Sequence, residues 1–154
     1  MFKKLNLATG GIIAVLGALI GLVAMILSII SSNCVGFEIS ELPIVIVLSI
    51  VGFVLIILAI FMGKKHRNSF LSVYLPLLIS AICFGVCFIF VLQARSYLIG
   101  TLWATQLDAS NPDAVAAMNT GAPSFIMFVV SMVIIAVSSF FDFTKGKKEE
   151  TISE

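Results

Sequence analysis

Four stretches of this chain, residues 7–30, 43–62, 70–94 and 124–141, contain no Asp, Glu, Lys, Arg or His. A helix needs about 20 apolar residues to cross the hydrocarbon core of a bilayer. Lipid offers no water to backbone N–H and C=O groups, so a segment that enters it must satisfy them internally as a helix. The pattern therefore predicts an all-α integral membrane protein, a four-transmembrane-helix bundle forming a single membrane domain over residues 1–154. Composition points the same way. Of 154 residues 60% are hydrophobic and only 11% are charged, whereas soluble domains are about 25% charged.

Direction follows from the basic residues. Lys3 and Lys4 precede the first span; Lys64, Lys65 and Arg67 lie between the second and third; Lys145, Lys147 and Lys148 follow the fourth. The other side carries Arg95 with Glu38, Glu41, Asp108 and Asp113. Cytoplasmic loops collect Lys and Arg, so the expectation is a multi-pass cell-membrane protein with both termini, and the tail at 142–154, in the cytoplasm. The first span is expected to stay uncleaved, because it is too long for a signal-peptide core and no small-residue cleavage motif follows it. The chain contains no Asn-x-Ser/Thr acceptor, which favours a bacterial origin. No basic surface suggests nucleic acid.

Helices in lipid associate through close packing of small residues. In the first span Gly10, Ala14, Gly17, Gly21, Ala24 and Ser28 recur at spacings of three and four. This face is expected to pack within the bundle, and it also makes a homo-oligomer possible. The third span has a related series in Ser72, Pro76, Ser80, Cys83 and Cys87, with Pro76 expected to bend the helix. The fourth offers Ser124, Ser131 and Ser138. These three faces should meet, leaving the second span the most lipid-exposed and without a small-residue face.

Chemistry has little to stand on. Cys83 and Cys87 share a helix face, but zinc wants four ligands and no His, Asp or Glu lies at that depth. Small packing residues are the better reading. His66 stands among Lys64, Lys65 and Arg67 and belongs to the topology signal. No span carries the carboxylate that marks a proton or ion path, and Arg95 at a span's end is expected to snorkel toward headgroups. These absences read against an enzyme and call for no cofactor.

The segment 95–123, RSYLIGTLWATQLDASNPDAVAAMNTGAP, differs from the rest. Leu98, Ile99, Leu102, Trp103 and Leu107 continue an apolar helical face beyond the third span. Asn111 is a good N-cap, Pro112 suits the first helical position and Asp113 complements the dipole. A short helix over 114–118, stopped by Gly121, should follow, with Pro123 leading into the fourth span. The segment is thus expected to fold as a small extracytoplasmic helical hairpin between helices three and four, an outer cap. Trp103, Gln106, Asp108 and Asn111 are its candidate recognition residues. The functional expectation is a small non-enzymatic accessory or interaction subunit of a larger membrane or envelope assembly, in contact with the lipid bilayer and another membrane protein. The alternative is a small oligomeric transporter or channel for a neutral solute, its route lined by Ser72, Ser80, Ser131 and Ser138.

Overall fold

The computed structural model describes residues 9–66, 73–106 and 109–141, with backbone alone for 64–66, 103 and 104. The chain is helical, with α1 over Thr9–Ser32, α2 over Leu42–His66, α3 over Leu75–Leu98 and α4 over Pro112–Ser138. A π-helical segment, Ile99–Ala104, prolongs α3. All four α-helices are long and apolar enough to cross a membrane.

Each helix packs on its neighbours in a ring, α1 most extensively on α4, then α3 on α4, α2 on α3, and α1 on α2. Adjacent helices run antiparallel. Across the α1–α4 seam, Ser131 donates to the Gly17 carbonyl (2.7 Å), Ser124 reaches the Ala24 carbonyl (2.9 Å), and Ser31 donates to the Ala117 carbonyl (2.7 Å). Residue numbers rise along one helix as they fall along the other.

The bundle is built inside out relative to a soluble protein. On α1 the buried residues are glycine, alanine and serine throughout, Gly10, Ala14, Gly17, Gly21, Ala24 and Ser28 among them. Its exposed face carries Ile12, Leu16, Leu19, Val23, Ile26 and Ile30. Small residues inside let backbones approach closely, which is how helices gain packing energy when the surroundings are themselves apolar.

One aromatic ring closes the centre. Phe84 of α3 is fully buried and lies 6.3 Å, centroid to centroid, from Phe128 of α4. A Cβ at Gly21 of α1 would meet Phe84 Cζ at 2.8 Å, and one at Gly52 of α2 would meet it at 3.2 Å. The ring thus touches all four helices because two of them offer glycine there.

The structure differs from the sequence reading at several points. α2 is the least buried helix, but it does have a buried stripe, Val45, Ser49, Gly52, Ile56 and Ala59, at helical spacing. Its small members, Ser49, Gly52 and Ala59, were the available signal, while Val45 and Ile56 look like their apolar neighbours. Pro76 falls at the start of α3, directly after the π-helical residues Val73 and Tyr74. Gly121 and Pro123 do not interrupt the chain: α4 is continuous from Pro112 to Ser138. Its 27 residues span roughly 40 Å at about 1.5 Å each, against about 30 Å of hydrocarbon. The polar half of 95–123 is carried on the last turn of α3, the π-helical segment and the first turns of α4, and no separate helix over 114–118 exists.

Candidate functional site

The site is built where the C-terminal end of α1, the α1–α2 connection, the last turns of α3 and the first turns of α4 converge. Its centre is Arg95, only 1% exposed and the largest fully buried side chain described. Its guanidinium turns inward. Nε donates to Ser31 Oγ at 3.0 Å, Nη2 to the Ser31 carbonyl at 2.9 Å and Nη1 to the Phe37 carbonyl at 2.6 Å. Ser31 in turn donates its hydroxyl hydrogen to the Ala117 carbonyl of α4. One cation therefore ties together α1, the connection after it, α3 and, through Ser31, α4.

This overturns the expectation that Arg95 snorkels outward, and the reason lies in α1. A helix leaves its last four carbonyls without intrahelical donors, and Ser31 is one residue from the end of α1. Those carbonyls carry the negative end of the helix dipole. Among the described residues all three acceptors are neutral oxygens, so the dipole stands where a carboxylate would otherwise be needed. Gly121 permits the approach: a Cβ there would lie 3.0 Å from both Arg95 Nε and Ser31 Oγ. Gly121, expected to end a helix, instead makes room for a buried cation.

Of the four residues singled out as a recognition set, the structure describes the side chains of Gln106 and Asn111. Trp103 lies in the π-helical segment, with its side chain outside the described residues, as is the whole of Asp108. Gln106 is exposed and holds a left-handed backbone, φ 57°, at the turn out of that segment. Asn111 is the N-cap of α4, its Oδ1 accepting from the backbone N–H of Asp113 at 3.0 Å and of Ala114 at 3.4 Å. Its acceptor oxygen is committed to the helix. Thr101 is buried, and its Oγ1 has no hydrogen-bond partner among the described residues.

Sequence reasoning missed Ser31, Phe37 and Gly121. The available signal was Arg95 itself, the only Lys or Arg away from the basic side of the chain.

The hydroxyls proposed to line a solute route face helix carbonyls. Ser80 donates to Gly52 (2.9 Å), Ser131 to Gly17 (2.7 Å) and Ser138 to Ile135 (2.6 Å); Ser72 lies outside the described residues. Ser28 and Ser124 both lie within reach of the Ala24 carbonyl and 2.5 Å from one another. Each hydroxyl has one hydrogen, so one donates to the carbonyl and the other to the first hydroxyl. Cys87 sits against Ser49 and the Val45 carbonyl, both at 3.5 Å. Among the described residues no three of His, Cys, Asp and Glu are grouped to hold a metal ion. Comparison with protein-family models, with curated proteins and with solved structures returned no match.

Proposed function

We propose that this is a small, non-enzymatic, multi-pass protein of the cell membrane, acting as an accessory or interaction subunit of a larger membrane assembly. Its termini lie in the cytoplasm, by the distribution of Lys and Arg, and the Arg95 end faces out. Large aliphatic side chains cover the outside of the bundle, which soluble proteins do not tolerate as a continuous surface. That arrangement supports insertion.

The observation that carries the interaction reading is the state of the interior polar groups. The buried serine hydroxyls described above donate to carbonyls or to each other, and each nitrogen of the Arg95 guanidinium already donates one hydrogen bond, to Ser31 or to Phe37. Among the described residues, polar groups able to meet something else lie at the outer end. Gln106, Ser110, Asp113 and Asn119 are exposed there. In the apolar region α2 has the widest uncovered face, including Val47, Ile50, Val54 and Phe61, the natural seat for a helix of another membrane protein.

Chemical crosslinking in native membranes, followed by mild-detergent purification, tests this. A defined heteromeric product is expected, and Gln106→Ala should weaken its formation. A clean monomer from crosslinked membranes would sink the accessory role.

A further inference from the structure

Away from the Arg95 end, α3 and α4 flank an open groove of about 440 Å³. Leu77, Leu78 and Ala81 form one wall, and Ile135 and Ala136 form the other. The groove exists because Ala81 and Ala136 are too small to fill the gap between the helices. Its polar atoms are confined to the end nearer the helix termini, where Tyr74 and Ser139 stand. Ser139 donates its hydroxyl hydrogen to the Ala136 carbonyl at 2.6 Å, which leaves its oxygen able to accept. The groove is therefore amphiphilic along its length, apolar toward the middle of the bundle and hydroxyl-bearing at its mouth.

From Tyr74 to Ala81 is seven residues, so about 10 Å of helix at about 1.5 Å each, a length along which an extended hydrocarbon segment can lie between the two apolar walls.

Charge indicates which amphiphile. Lys64, Lys65 and Arg67 come ten, nine and seven positions before Tyr74, and no acid falls among or after them up to that residue. Beyond Phe140, Asp142 is followed by Lys145, Lys147 and Lys148, with Glu149 and Glu150 only after those. Basic clusters beside the cytoplasmic end of a membrane helix attract anionic headgroups.

We propose that this groove holds an acyl chain of an anionic phospholipid of the inner leaflet, its headgroup at Tyr74 and Ser139. The assignment rests on the membrane insertion proposed above but not on the accessory role. The full-length protein is reconstituted in vesicles containing equal amounts of phosphatidylglycerol and phosphatidylcholine, one or the other carrying a photoactivatable acyl chain. Adducts are expected to concentrate on residues 74–81 and 135–140, with phosphatidylglycerol favoured about threefold or more. Ala136→Phe, which fills the groove, should remove those adducts while leaving labelling of 44–58 on α2 unchanged. Lys64→Gln, Lys65→Gln and Arg67→Gln together should level the two lipids.

Labelling spread evenly over every exposed helix face, equal labelling by the two lipids in the unaltered protein, or undiminished groove adducts in Ala136→Phe would each overturn the site. So would a protein crosslink in place of the lipid, which would mean a partner helix occupies the groove. If the protein can be stripped from the vesicles by alkali, the insertion reading and this one fall together. A protein that inserts as a clean monomer and still shows groove adducts loses only the accessory role.

Discussion

Arg95 and Ser31 are joined twice, guanidinium Nε to hydroxyl at 3.0 Å and Nη2 to carbonyl at 2.9 Å, across 64 positions of sequence. A planar guanidinium can make both contacts and still reach Phe37; an ammonium is a point charge with no such fork. The pairing explains why the single basic residue away from the cationic side is tolerated in an apolar setting, and it makes Arg95 the first residue to test.

Arg95→Ala leaves the Ser31 and Phe37 carbonyls without their side-chain donor and opens a void among four chain segments. The expected loss is about 2–4 kcal/mol. Arg95→Lys should fall between this and the unaltered protein. Thermal unfolding in mild detergent, followed by circular dichroism, checks the order. Equal stability of Arg95→Ala and the unaltered protein would mean the guanidinium holds nothing.

Gly21→Ala places a methyl group against the Phe84 ring, which Gly52 and Phe128 confine on its other sides. Overpacking of this kind costs about 1–3 kcal/mol. Phe84→Leu is also destabilising, but the double variant should be milder than the sum, because the smaller side chain vacates the space the methyl group needs. A double-mutant cycle with zero coupling would contradict the contact.

Asn111 and Gln106 separate folding from recognition. Asn111→Ala removes the cap of α4 and should cost about 1 kcal/mol, whereas Asn111→Asp keeps an acceptor and should cost less. Gln106→Gly should stabilise slightly, by up to about 1 kcal/mol, since glycine takes φ 57° without strain. Gln106→Ala should reduce crosslinking to a partner more than it reduces stability. A purely structural turn would show the reverse.

Ser131→Ala deletes the 2.7 Å bond to the Gly17 carbonyl, and the expected loss is only about 0.6 kcal/mol. Apolar surroundings do not magnify it much, because Gly17 lies inside α1 and its carbonyl keeps a helical partner. Ser131→Val should cost more, by crowding a seam built for small residues. Unfolding midpoints of the two variants give the comparison.

The number of long apolar helices was readable because an uncharged run of that length has few other ways to satisfy its backbone. The small-residue series of α1 was equally readable: glycine, alanine and serine at spacings of three and four stand out against Ile, Leu and Val. The same spacing rule failed on α2, where Val45 and Ile56 on the buried side look no different from Val47 and Ile57 on the exposed side. The Asn111 cap was legible because an N-cap is a local event, settled within three residues by one side-chain oxygen and two backbone N–H groups.

Arg95 and Gly121 were decided elsewhere. Whether an arginine at a helix end reaches outward or inward depends on which acceptors surround it, and those belong to Ser31 and Phe37 at 64 and 58 positions' distance. Glycine suits both a helix terminus and a close contact, so its role at 121 was settled by the neighbours a Cβ would have met. Sequence by itself determines what each segment must do to satisfy its own backbone in an apolar medium. Only the tertiary structure brings the orphan carbonyls of α1 to a cation on α3, because the energy of that contact belongs to neither segment alone.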